Sequence, residues 1–344
     1  MPNEMIDVFC HWTPPKFARK AVALSKNPLH MLTRAIAMPV MSDLDARFRV
    51  MDRFPGYKQI PSHASPSPEA VGGPEVATEI SRVGNDEMAE IVAKHPDRFP
   101  GFVAALPMNA PDEAVKEAER AVVHLGASGV QMFTNVGGCP LDQPEFFPIF
   151  QKMRELDRPV WIHPARGMKT PDYPCETYSK YELWWTLAWP YETSMAMYRL
   201  VFSGLFEKLP GIKIIVHHGG GMIPMVEERL GNGLEVYGSR TPPALEEKKN
   251  TPLKGKPLAS FKQFHADVAT FGSLAAAECA RQFFGADRLL FASDMPFDPE
   301  EGPGYIRETI RVVNELAIPP EQKQNIFSGT IRKMCRLEPL KAGV

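Results

Sequence analysis

The sequence predicts an α/β fold, a (β/α)8 TIM barrel, and three observations carry that prediction. Short runs rich in β-branched and aromatic residues recur eight times. Most are followed by an alanine- or glutamate-rich segment with helical spacing. The alternation extends over a chain of 344 residues, long enough to bury a sizeable core, so residues 1–344 read as one barrel domain. An open, doubly wound dinucleotide fold has little support, because no G-x-G-x-x-G follows the first strand.

Taken in order, the expected strands are MIDVFCHW (5–12), KQIPS (58–62), GFVAALP (101–107), GVQMF (129–133), PVWIHP (159–164), IKIIVHH (212–218), FHADVA (264–269) and RLLFASD (288–294). Helical spacing marks 85–95, 112–124, 145–156, 192–207, 222–235, 273–283, 303–316 and a last helix over 320–335. Two stretches break the repeat. Residues 13–56 read as a helical hairpin inserted after strand 1, and 164–191 form a long aromatic loop after strand 5 that carries Trp184, Trp185 and Trp189. A connection of that length and composition is either a lid over a pocket or a surface for a second subunit.

Composition excludes several functions. The formal net charge is −2 with scattered basic residues, which argues against nucleic acid or an anionic membrane as partner. No apolar run approaches the roughly 18 residues needed to span a bilayer, and the N-terminus lacks the charged-then-apolar pattern of a signal peptide, so a cytoplasmic protein is expected. The five cysteines are far apart and form no C-x-x-C, which disfavours both a disulfide framework and a cysteine zinc site.

In such a barrel the reacting groups sit at the C-terminal ends of the strands, where the pocket-forming loops leave. Strand 1 ends at His11, strand 5 at His163, strand 6 at His217 and His218, and strand 8 at Asp294. Histidines at the ends of three strands and an aspartate at the end of a fourth offer imidazole and carboxylate ligands suited to a divalent metal, Zn2+ above all. Alternation then predicts that Asp7, Phe9 and His11 share the inner face of strand 1 while Cys10 points outward. It groups Ile214, Val216 and His218 on strand 6, which makes His218 the candidate and sends His217 outside. On strand 8 it aligns Leu290, Ala292 and Asp294. The glycines at 219–221 let the backbone pass close to the pocket.

These residues carry a pattern. IDVFCHWTP, RFRVMD (47–52), KHPDRFPGFVAALP (94–107), PVWIHP, WPYETSMAMYRLVFSGLFEKLPGIKIIVHHGGGMIP (189–224) and FGADRLLFASDMPF (284–297) occur in the order found in the amidohydrolase superfamily. The sequence most resembles the branch of aminocarboxymuconate-semialdehyde decarboxylase and the resorcylate-type aromatic-acid decarboxylases. That resemblance implies His163 and Asp294 as metal ligands, His218 as a catalytic residue beside the metal, and His11 as the second histidine of a first-strand pair. The first member of that pair is Phe9 here, which leaves His11, His163 and Asp294 as the protein ligands and puts occupancy of the site in question. The implied ion is one divalent metal, Zn2+ or Mn2+, and the implied assembly is a homodimer.

The resemblance further implies non-oxidative decarboxylation of a small aromatic or unsaturated carboxylate, with Asp294 moving the proton. Arg47, in the family's R-x-x-x-M-D segment, and Arg166, in the loop after His163, are the candidates to bind the substrate anion, with Trp184 to stack on a flat ring and Phe9 beside it. Hydrolysis of an amide, ester or lactone is open on the same scaffold. So is a metal-free binding protein.

Overall fold

The computed structural model describes residues 4–26 and 29–337. β1 (Met5–Trp12) pairs in parallel with β2 (Tyr57–His63). β3 (Val103–Ala105), β4 (Gly129–Phe133), β5 (Val160–His163), β6 (Ile214–Val216), β7 (His265–Asp267) and β8 (Leu289–Leu290) follow one another in a second parallel sheet. Main-chain bonds from Val8 N to Phe291 O, from Asp294 N to Phe9 O and from His11 N to Met295 O close the end of β8 onto β1. With β2 lying beside β3, the eight expected strands form the barrel.

The strands read as near-continuous apolar runs because both faces are covered. Ile6, Val8, Ile60, Val103, Trp161 and Ile215 fill the barrel interior. Their neighbours in sequence, among them Cys10, Val130, Ile162, Ile214 and Val216, pack outward under the helices. β1 departs from strict alternation. Its register with β2 slips between Asp7 and Cys10, a bulge that turns both Val8 and Phe9 inward. Asp7 therefore does not share the inner face with His11, as alternation had suggested. It lies behind β1, where Tyr57 Oη donates to its Oδ2 at 2.5 Å and Ser293 Oγ also bonds it.

The insertion after β1 consists of α1 (Pro15–Leu24), α2 (His30–Ala37) and α3 (Leu44–Met51). The α1–α2 link at 27–28, within the expected hairpin, and the chain ends 1–3 and 338–344 lie outside the described residues. α4 (Pro74–Lys94) starts well before the expected 85, directly after Gly72 and Gly73, with proline in its first turn. Gly84 sits inside it because α4 lies hard against β2: a Cβ there would come within 2.7 Å of His63 Cε1. α5 (Pro111–His124), α6 (Phe147–Glu155), α7 (Ala188–Phe202), α8 (Leu274–Phe284) and α9 (Pro303–Glu315) fall close to their expected places.

Two expected helices are not continuous. Residues 222–235 form three short turns, Pro224–Val226, Glu227–Leu230 and Asn232–Val236, since Pro224, Gly231 and Gly233 interrupt the helical ladder. The last segment runs as Pro320–Gln324, a π-turn over Asn325–Gly329, and Thr330–Cys335.

Candidate active site

Alternation fixes which side chains enter the C-terminal mouth of the barrel. On β6, Ile214 and Val216 pack outward and Ile215 inward, so the next inward position is His217. His217 thus enters the site, where the sequence reading had sent it outside. His218 reaches the same site by another route. The backbone leaves the strand at φ +56° there, a left-handed turn that swings the second imidazole back over the barrel mouth. Asp294 takes the same kind of turn beyond β8, at φ +62°. Gly219, Gly220 and Gly221 continue the left-handed path, and a Cβ at 221 would meet Pro190 O at 2.4 Å.

Two sets of donor atoms converge, each within 4.8 Å: His11, His163 and His217, and His217, His218 and Asp294. His217 belongs to both. The Asp294 carboxylate lies 3.0 Å from His11 Nε2, 3.4 Å from His217 Nε2 and 3.5 Å from His218 Nε2. Of the expected trio, His11 meets both His163 and Asp294, while His163 and Asp294 fall in different sets, joined through His217.

Each inner histidine is tied at Nδ1. His163 Nδ1 donates to Pro164 O at 2.7 Å, His217 Nδ1 to the Asp267 carboxylate, and Ser62 Oγ lies 3.4 Å from His11 Nδ1. Nε2 of each is thereby aimed at the centre. Three imidazoles and a carboxylate, with the buried Nε2 of His217 lacking any hydrogen-bond partner, suit a divalent transition metal.

Electrostatics separates the roles. Burial would raise the Asp294 carboxyl, but the hydrogen bond from His11 and the close imidazoles of His217 and His218 outweigh it and hold it well below the usual carboxylate range. Burial, reinforced by His11 and His217, drives His163 well below the usual imidazole value and keeps it neutral. His218 is lowered in the same way by burial and by His217. For His217 burial acts downward, yet the carboxylates of Asp267 and Asp294 prevail and hold it up at about 9.

Above the cluster opens a cavity of about 300 Å3. Its floor includes His218, Asp294 and Ala269; Trp184, Trp185 and Trp189 form one wall, and Phe271, Phe297 and Tyr305 another. Trp189 lies parallel to His218, ring centres 6.4 Å apart, and its Nε1 donates to Arg166 O at 3.2 Å. Both departures from the barrel repeat thus reach the pocket: the aromatic loop through its tryptophans, and the insertion through Met31 and Arg34.

Three expected substrate contacts are placed elsewhere. Arg47 is fully buried behind β1, where it donates to Gln59 Oε1 at 2.6 Å, His11 O at 2.8 Å and Val40 O at 3.0 Å; it positions the His11 backbone instead of facing the cavity. Arg166 pairs with Glu192 at 3.1 Å and bonds Pro171 O, outside the cavity lining. Phe9 is fully buried beneath the site and does not reach the cavity. Trp184 does line it.

Two residues escaped the sequence reading. Arg34 projects from α2 at the rim, its guanidinium carbon 5.8 Å from the Phe297 ring centre. Asp267, at the end of β7, accepts from His217 and from the main-chain N–H groups of Gly219 and Ala269 at 3.1 and 3.0 Å. The expected strand ran on to 269, so Asp267 lay inside it and the strand-end rule did not single it out.

The chain is similar to known decarboxylases. Over 273 residues, 78% of this chain and 69% of the relative, the sequence is 31% identical to 2-amino-3-carboxymuconate-6-semialdehyde decarboxylase of Dictyostelium discoideum. It is 33% identical over 262 residues to a gamma-resorcylate decarboxylase of a Polaromonas species, covering 74% of this chain and 77% of that one. Among solved structures, the dihydroxybenzoic acid decarboxylase of Polaromonas, with bound manganese and 2-nitroresorcinol, matches with TM-score 0.77 and 27% identity over 97% of both chains. The 2,6-dihydroxybenzoate decarboxylase of Rhizobium matches with TM-score 0.79 and 26% identity, over 97% of this chain and 99% of that one. The relatives are carboxy-lyases on a TIM barrel. No helix among the described residues is long and apolar enough to cross a membrane. The amidohydrolase family model matches residues 6–337, nearly the full sequence, and the chain belongs to the amidohydrolase family.

Proposed function

We propose that the protein is a metal-dependent, non-oxidative decarboxylase of a small hydroxylated aromatic carboxylic acid. One observation carries the reading: Asp294 and His218 form the floor of an apolar, tryptophan-walled cavity, directly above the inward-aimed imidazoles of His11 and His163. His11, His163 and Asp294 hold the ion. Zn2+ suits the imidazoles, and Mn2+ is the alternative because a similar decarboxylase holds it. When bound, the metal supplies a fixed positive charge for the substrate's carboxylate or a neighbouring hydroxyl.

The chain's own groups do the rest. Asp294, ionised at rest, takes the proton of a substrate hydroxyl and passes it to the ring carbon that bears the carboxylate; the carbon–carbon bond breaks, carbon dioxide leaves, and the bond's electron pair becomes the new C–H bond, the phenoxide regaining its proton from solvent on release. Neutral His218, 3.5 Å from Asp294 Oδ2, hydrogen-bonds to the negative charge that develops on the substrate. Trp184 and Trp189 offer flat faces to the ring. Arg34, at the rim, pairs with an anionic or hydroxyl substituent. The reading includes a homodimer, supported by the exposed Tyr173, Tyr178 and Tyr181 of the aromatic loop, and a cytoplasmic location, supported by scattered free cysteines.

The test is carbon dioxide release from a panel of hydroxylated benzoic acids by metal-loaded protein, run beside acid release from esters and lactones. Carbon dioxide release is expected. Ester or lactone turnover without any carbon dioxide would move the protein to hydrolysis, and no turnover with tight ligand binding would make it a binding protein.

A further inference from the structure

We propose that His217 is a metal ligand, and that it takes over the position that Phe9 cannot fill. The inference rests on the reading above, that the site holds one divalent ion, and extends it from three protein ligands to four: His11, His163, His217 and Asp294.

Four features of His217 converge. It is fully buried, out of contact with bulk solvent. Its Nδ1 is committed to Asp267, whose carboxylate is itself fixed by the N–H groups of Gly219 and Ala269. A metal-bound histidine characteristically donates its second N–H to such an oriented carboxylate. Its Nε2 has no hydrogen-bond partner, although it lies within 4.8 Å of the donor atoms of His11 and His163 and 3.4 Å from Asp294 Oδ1. The charged neighbour of that nitrogen is the Asp294 carboxylate, and a cation between the two would take the place of the proton they otherwise share. Lastly, the Phe9 ring lies flat on the imidazole, ring centres 4.0 Å apart and 16° from parallel.

Two of the pairs already stand near the spacing an ion imposes. Tetrahedral ligands bonded at 2.0–2.1 Å stand about 3.4 Å apart. His11 Nε2 and Asp294 Oδ1 at 3.0 Å, and His217 Nε2 and the same oxygen at 3.4 Å, are already near that spacing. A ring at position 9 that lacks nitrogen contributes no bond, but stacked beneath His217 it fixes the plane in which Nε2 points. The first strand thus gives up a ligand and supports its replacement from β6. His218 stays free for substrate on the opposite, cavity side.

The test reads coordination directly. X-ray absorption fine structure of the zinc- or manganese-loaded wild type should count three imidazoles; two would overturn the proposal without touching the decarboxylase reading, which carbon dioxide release tests separately. His217→Gln, which keeps a donor toward Asp267, should retain at least tenfold less metal after chelator dialysis, whereas His218→Ala should retain as much as the wild type. Phe9→His in the His217→Gln background should restore retention, because it returns a nitrogen to β1. Wild-type retention in His217→Gln, or wild-type protein grown with added metal that binds none, overturns the inference. Each variant's circular dichroism and thermal midpoint are recorded alongside, and the fine-structure count on the unaltered protein decides the matter if His217→Gln does not fold.

Discussion

The Phe9 phenyl and the His217 imidazole lie face to face, centres 4.0 Å apart, at the bottom of the candidate site. One residue comes from β1 and the other from just beyond β6, so their stacking ties the two sides of the barrel together beneath the site. A buried aromatic in this position acts through packing, and its loss should be felt first in stability.

Phe9→Ala removes a fully buried ring from the barrel interior. The expected cost is about 3–5 kcal/mol, the usual range for emptying such a position. Urea unfolding of the variant and the wild type measures it. A loss below about 1 kcal/mol would mean that the neighbours collapse into the space.

Asp294→Asn keeps the shape of the side chain but removes both its charge and its ability to carry the proton. Turnover should fall by at least about a hundredfold, with circular dichroism unchanged. Full activity would take Asp294 out of the mechanism.

His218→Ala removes the group on the cavity floor that faces the substrate. A drop in kcat of about 10²–10⁴ is expected with metal content unchanged. If the variant instead loses its metal, His218 is a ligand and its assignment to the substrate side is wrong.

Arg34→Ala removes the basic residue of the insertion that borders the cavity. The expected effect is on binding: KM up about tenfold or more, kcat within a few-fold, as for loss of one charge-assisted bond. Since Arg34 is exposed, the wild-type KM should also rise with added salt. An unchanged KM would assign the anion site to other groups.

His63 carries a pH dependence of stability. Its ring touches Phe17 of α1, neither nitrogen has a hydrogen-bond partner, and burial, helped by His11, pulls it from 6.5 to about 4. The depressed value means that the unfolded chain takes up the proton first. Stability is therefore full above pH 6.5 and drains away as pH falls toward 4, by up to about 3 kcal/mol. His63→Leu should flatten that slope relative to wild type in urea titrations between pH 7.5 and 4.5.

The barrel was legible because each strand is a short apolar run bounded by turn residues, and that signal is local. His163 and Asp294 were legible for a related reason: each ends a strand whose inner and outer residues could be told apart. At β6 the same rule misfired. Ile214, Ile215 and Val216 are all apolar because both faces of the strand are buried, so nothing in IKIIVHH marks which residue faces inward. In β1 the bulge at Val8 and Phe9 shifted the phase by one residue, and Asp7 changed sides. Arg47, expected from the resemblance to bind the substrate anion, is fully buried with Nε and Nη1 spent on Gln59, His11 O and Val40 O.

By itself, then, the sequence determined the eight strands, most of the helices between them, the two insertions and the chemical types gathered at the strand ends, since these depend on residue character within a few positions. Only the tertiary structure decided which histidines meet. Placing His217 against His11 and His163, turning His218 inward by a left-handed residue, and bringing Arg34 over the cavity all require the closed barrel, in which strand phase and the docking of α2 are set by packing between segments far apart in the chain.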